Sequence, residues 1–183
     1  MKRIYLFAIL FLMVNATRSQ DIQMTRTGKI NFHAGTALED IDAANNEVTS
    51  IINKKTGEIV FNVLVKSFHL RRALMEEHFN ENYMESDKYP KSTFNGKIAN
   101  LSSVPLDKDG TYKITVDGDI TIHNVTKKIS VPGTITVEGG KISATSEFKL
   151  KPEDFNIQIP GIVSNKIAKE VQVVIDCKYE PRS

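Results

Sequence analysis

Four histidines (His33, His69, His78 and His123), one cysteine (Cys177) and the run Glu76-Glu77-His78 are the side chains with the most chemistry to offer. The histidines do not sit at metal-ligand spacing: there is no H-x-H, no H-E-x-x-H and no Cys–His cluster. Glu76 or Glu77 could act as a carboxylate beside the imidazole of His78. Neighbours on a helix point about 100° apart, so these groups do not converge unaided. Cys177 has no second cysteine to pair with and reads as a buried thiol acting as a small hydrophobe. There is no G-x-S-x-G elbow and no G-x-x-x-x-G-K phosphate loop. Asp117-Gly118-Asp119 lacks the ligand spacing and closing glutamate of a calcium loop. The chain is therefore expected to hold no metal and no catalytic cofactor. An enzyme built on His78 with Glu76 or Glu77 stays as an alternative.

What remains is apolar material, and it lies on elements that could hold it in order. Phe68 to Pro90 is the one stretch with helical spacing. Leu74, Met75 and Phe79 fall within roughly 140° of a helical wheel, and Pro90 prevents the helix from running on. Almost everything else alternates as strands do. Gly28–Ala34, Glu47–Ile52, Glu58–Lys66, Ser92–Ala99, Thr111–His123, Thr126–Glu138, Lys141–Leu150 and Ala168–Tyr179 make eight. Thr36 to Asn46 reads as a polar loop. Glu58–Lys66 carries apolar residues on both faces, which predicts cover on both sides. Pro132 predicts an edge or bulge, and Gly139-Gly140 a hairpin turn. The run from Lys151 to Asn165 is irregular, but Phe155, Ile157, Ile159, Ile162 and Val163 predict that it packs down. Eight meandering strands can close into a barrel wide enough for one small ligand. The helical segment is expected beside its opening.

Lys2 and Arg3 followed by the apolar run Ile4–Val14 read as a secretory leader; cleavage after Ala16 or after Ser19 fits, and Ser19 is preferred. Residues 1–19 are then a signal peptide, residues 20–183 one domain, and the expected location is the periplasm or the exterior. Removing the leader lowers the basic count from 24 to 21 against 22 acids. That balance, with no basic stripe and no tryptophan, excludes a nucleic-acid partner. Nothing after the leader approaches a membrane-spanning length, so no stable insertion is expected.

Three segments carry a resemblance to the YceI-like family, lipocalin-like periplasmic proteins associated with polyisoprenoid binding. They are Val60–Ile98, containing Y-P-K-S-T-F; Tyr112–Pro132, containing G-D-I-T-I-H-N-V-T-K; and Phe148–Pro160. Asn124 stands where the family usually has glycine, and asparagine tolerates the left-handed turn required there. The resemblance implies an all-β, eight-stranded antiparallel lipocalin-like barrel with one short helix inserted between strands. It further implies an isoprenoid quinone, polyprenyl chain or other amphiphilic lipid inside, and no catalysis.

Phe32, Phe61, Val63, Val65, Phe68 and Leu74 are candidates for an apolar pocket, together with Met75, Phe79, Phe94, Ile114, Val116 and Phe155. Each could equally be plain core. His69, Arg71 and His78 are candidates for the ligand's head group. Exchange would require the helix or the Phe155–Val163 stretch to move. A barrel filled by its own side chains, serving a structural or stress role in the envelope, is a further alternative, and a homodimer is compatible with the sequence.

Overall fold

The structure, a computed structural model, describes residues 21–182. The expected leader, residues 1–19, lies outside the described residues. The strands are β1 (Ile22–Gly35), β2 (Asp42–Asn53), β3 (Glu58–Leu64), β4 (His69–Leu70), β5 (Lys91–Ile98), β6 (Gly110–Ile122), β7 (Val125–Glu138), β8 (Lys141–Leu150) and β9 (Ile167–Pro181). Every pairing is antiparallel, in the order β1-β9-β8-β7-β6-β5-β3-β2, and β2 returns to β1. Eight long strands thus close a barrel. The two-residue β4 pairs only with Ala43 and Ala44 at the start of β2.

Two strands run further than the alternation predicts. β1 begins at Ile22, with register shifts between Thr25 and Gly28 and between Gly28 and Ile30 that blur its period. β2 begins at Asp42, inside the polar stretch expected to be a loop. Asn45 is fully buried there, but its amide donates to Leu64 O at 3.1 Å and its carbonyl accepts from Glu47 N at 2.9 Å. A buried amide satisfied in this way removes the main objection to a polar strand.

The helix is much shorter than its apolar spacing suggests. α1 spans only Ala73–His78, and a π turn follows over Phe79–Tyr83, with Met84 N donating to Phe79 O at 2.9 Å. The side chain of Asn80 donates to Glu76 O at 2.9 Å and competes with regular helix. α1 buries no residue completely. It stands at the barrel mouth and does not cover β3, so Val60 and Leu64 on the outer face of that strand are exposed. The expected double cover is absent. Ile162, expected to pack down, is 91% exposed, whereas Phe155 in the same connection is 2% exposed.

Both tight hairpins have the backbone their residues favour. His123 and Asn124 have φ of 50° and 61°, and Gly139 and Gly140 have 57° and 78°. Two successive positive φ values give the turn whose twist matches antiparallel strands.

The two ends of the barrel differ. At one end the β5–β6 connection folds inward, and Val104 and Leu106 pack with Ile52, Ile98, Val137 and Ile142 into a solid core. Tyr179 lies above this plug, its hydroxyl 2.8 Å from Ser50 Oγ. At the other end lie the β1–β2 loop, the long β3–β5 connection with α1, the His123-Asn124 turn and the β8–β9 connection. Here the wall is incomplete. The β7–β8 ladder runs only from Thr134↔Thr145 to Glu138↔Lys141. Pro132, which cannot donate to a ladder, stands where β7 has no β8 partner, in keeping with the expected edge.

Candidate functional site

The mouth half of the barrel is hollow. A cavity of about 500 Å³ runs from the rim down to Tyr179. Its size follows from the sequence in two ways. Strand alternation turns Ile30 and Phe32 of β1, Phe61 and Val63 of β3, and Phe148 and Leu150 of β8 inward. Small residues then leave room or curvature between them. Gly96 and Gly118 face each other across β5 and β6, and the ring of Phe94 lies against both. A Cβ on Gly118 would stand 2.5 Å from Asn95 O and 2.6 Å from Gly96 Cα. No side chain fits there, so the two strands approach closely and the ring lies flat on the wall. A barrel filled by its own side chains is therefore not what this sequence forms.

Of the apolar candidates, Phe32, Phe61, Val63, Phe68, Leu74 and Met75 line the cavity, as do Phe79, Phe94, Ile114, Val116 and Phe155. Val65 does not. It lies beyond the end of β3, on a 3-10 turn over Val65–Ser67, and is buried at 1% exposure outside the lining. Phe32, Phe68 and Phe79 form a triangle with ring centroids 5.3, 5.4 and 5.8 Å apart. These separations are typical of tilted and edge-on aromatic pairs, and the triangle fixes the π turn to the barrel. Leu74 remains 63% exposed at the rim.

The polar candidates separate. His78 reaches the cavity. His69 and Arg71 line a shallow outer depression with His33 and Asp42. The reason is parity: in the extended run His69-Leu70-Arg71-Arg72, Leu70 and Arg72 face inward and their neighbours face out. Arg72, Glu39, Lys151 and Lys166 were not among the sequence candidates, and for Arg72 the two-residue period through Leu70 was the signal that could have found it. Arg72 Nη2 donates to Glu39 Oε1 at 2.7 Å, and Lys166 Nζ stands 3.5 Å from Glu39 Oε2. All three line the cavity.

The acid–base arrangement proposed for α1 does not assemble. Glu76 accepts from Leu70 N at 3.0 Å and lies 3.5 Å from His69 Nδ1, while His78 Nδ1 faces the amide of Asn82 at 3.4 Å. Cys177 is buried, and burial pushes its thiol up to about 11. It is no nucleophile at neutral pH. His33, Asp40 and Asp42 come together outside the barrel, which their sequence spacing does not announce. His33 Nδ1 donates to Asp42 Oδ1 at 2.7 Å and Arg71 binds Asp40 at 2.8 Å, so these carboxylates already have cationic or donating partners.

The incomplete β7–β8 wall is closed by a separate device. The 3-10 turn Pro152–Phe155 covers it, and His123 holds that turn in place. His123 Nδ1 donates to Phe155 O at 3.2 Å and Nε2 to Glu85 Oε2 at 2.8 Å, with Tyr89 edge-on at 4.5 Å. The bond from His123 holds the Glu85 carboxyl below its ordinary value. One imidazole thus ties the β6–β7 turn to the end of the π-turn segment and to the β8–β9 connection.

The chain resembles solved structures over most of its length. A polyisoprenoid binding domain from Saccharophagus degradans, implicated in plant cell wall breakdown, aligns with a TM-score of 0.75 at 14% identity. The match covers 88% of this chain and 99% of that one. BcnA from Burkholderia cenocepacia aligns at 0.65 and 18% identity, over 84% and 96% of the two chains. A YceI protein from Campylobacter jejuni aligns at 0.59 and 18%, over 76% and 85%. These likenesses are of fold. No curated protein matches significantly. The sequence profile of the YceI-like domain matches residues 15–179, and the chain belongs to that family.

Proposed function

We propose that this protein is a non-catalytic carrier for the apolar chain of an isoprenoid, a quinone or polyprenyl lipid, or another long-chain amphiphile, working in the bacterial envelope. One observation carries the reading: a cavity of about 500 Å³ with a largely apolar wall whose charged side chains lie at its rim. Small-molecule sites commonly span about 300–1,000 Å³. Each buried CH₂ yields about 0.8 kcal/mol, so roughly ten of them supply about 8 kcal/mol, near micromolar affinity before the costs of ordering the tail. Short solutes therefore gain too little to stay, and long chains are retained. The ligand class in the name of the S. degradans neighbour agrees with this reading. The envelope location rests on Lys2, Arg3 and the apolar run after them.

Loading requires an opening. The stretch of β7 and β8 without a ladder supplies one, because parting it breaks no backbone ladder bond and only the side-chain bond from Ser146 Oγ to Pro132 O at 2.6 Å. The Pro152–Phe155 turn would swing aside and His123 would release it. Native mass spectrometry of the protein from its own host tests the carrier reading. The expected spectrum carries a lipid mass that organic extraction removes and added polyprenol or quinone restores. A bare mass that takes up neither compound contradicts it.

A further inference from the structure

The rim charges bear on the part of the ligand that an apolar wall cannot select. Among the described residues, the cavity lining contains three permanently cationic side chains, Arg72, Lys151 and Lys166, against the single carboxylate of Glu39. All four belong to the mouth. Glu39 lies in the β1–β2 loop, Arg72 at the foot of α1, and the two lysines at either end of the β8–β9 connection. Glu39 is the recessed member, its side chain 16% exposed, while those of Arg72 and Lys166 are 66% and 49% exposed. Its two oxygens are shared out, Oε1 to Arg72 at 2.7 Å and Oε2 to Lys166 at 3.5 Å. The space between these cations therefore already accommodates a carboxylate. Most of the guanidinium donors of Arg72 and two of the three ammonium donors of Lys166 are left over. Lys151 has no ion-pair partner among the described residues.

A quinone carbonyl or an alcohol hydroxyl can accept a single hydrogen bond from such a rim, but neither carries a charge to match its cations. We propose that the mouth is a head-group subsite for an anionic amphiphile, a long-chain carboxylate or a prenyl phosphate. Lys151, Lys166 and the free donors of Arg72 take the anion, and Glu39 keeps Arg72 and Lys166 aligned. This rests on the carrier reading and narrows its ligand class. The shared chemistry is a terminal anion with at least two acceptor oxygens, suited to charge-assisted hydrogen bonds.

The test uses two matched pairs at low salt with the delipidated protein: hexadecanoate against hexadecanol, and geranylgeranyl phosphate against geranylgeraniol. In at least one pair the anion should bind about tenfold more tightly than its alcohol, the size expected of one hydrogen bond to a charged group. The pair with the larger ratio identifies the source. The double variant Lys151→Gln/Lys166→Gln should weaken the anion about tenfold and so bring it down to the affinity of its alcohol. Equal binding of anion and alcohol in both pairs overturns the proposal and leaves the carrier reading standing. So does an anion advantage that survives loss of both lysines, as far as the subsite is concerned. If none of the four compounds binds, the carrier reading falls and this proposal falls with it.

Discussion

The two ends of this barrel are made of the same strands and solve opposite problems. At the closed end, inward side chains meet one another: Ile52, Ile98, Ile135 and Ile142 are each no more than 2% exposed, and Val104 and Leu106 fold in from a connection to complete the plug. At the mouth, inward side chains of the same types face a void. The difference lies less in residue type than in what the connections do. The β5–β6 connection turns inward and fills; the β3–β5 connection stays on the rim, with Leu74 exposed and the aromatic triangle below it. Stability is thus concentrated at one end and vacancy at the other.

The strongest way to break this division is to attack the wall where the halves meet. Gly118→Val puts a side chain where Asn95 O and Gly96 Cα already lie within 2.6 Å of a Cβ. A loss of about 3 kcal/mol or more is expected from denaturant unfolding, beyond ordinary overpacking because backbone must move. A paired truncation sharpens the contrast. Ile98→Ala at the closed end should cost about 3 kcal/mol of stability and leave lipid affinity unchanged. Phe32→Ala at the mouth should cost less stability, since its ring already borders empty space, and should weaken lipid binding several-fold. Equal stability losses with unchanged binding would show that the two ends are alike.

A smaller effect is expected at the His123 latch. His123→Ala removes both bonds that hold the Pro152–Phe155 turn, and should cost about 1–2 kcal/mol while raising the rate of ligand release. Stopped-flow exchange checks the second part; an unchanged release rate would place the exit elsewhere. The smallest effect concerns pH. The hydrogen bond from His123 depresses the Glu85 carboxyl below 4.5, and that from His33 depresses Asp42 below 3.8. Depressed carboxyls stabilise the fold above their ordinary values, and that contribution is lost as the pH falls through the depressed ones. Glu85→Gln should therefore flatten the acid limb of the stability curve slightly, because the group is exposed and screened.

Much of this architecture could be read from the chain alone. The alternation of Tyr112 to Ile122 and of Val171 to Cys177 marks barrel strands, and Gly139-Gly140 marks its hairpin. Parity also turns Phe32, Phe61 and Val63 inward. Other features depend on partners distant in sequence. Asn45 belongs in a strand only because Leu64 O meets its amide. Val65 keeps the parity of β3 on paper but lies past the point where the strand ends. Arg71 and Arg72 are indistinguishable by type, and only the phase of the extended run sends one out and the other in. The latch at His123 joins residues 38 and 32 positions away, so no local pattern could reveal it.

The most direct test of a hollow mouth above a solid floor is methyl NMR with a fatty chain carrying a nitroxide near its far end. Broadening should be strongest at Ile114, Ile120 and Val173, which line the cavity, and weaker at Ile98, Val137 and Ile142 in the plug. Broadening confined to exposed surface methyls such as those of Leu38 and Ile162, with the cavity methyls untouched, would contradict the account.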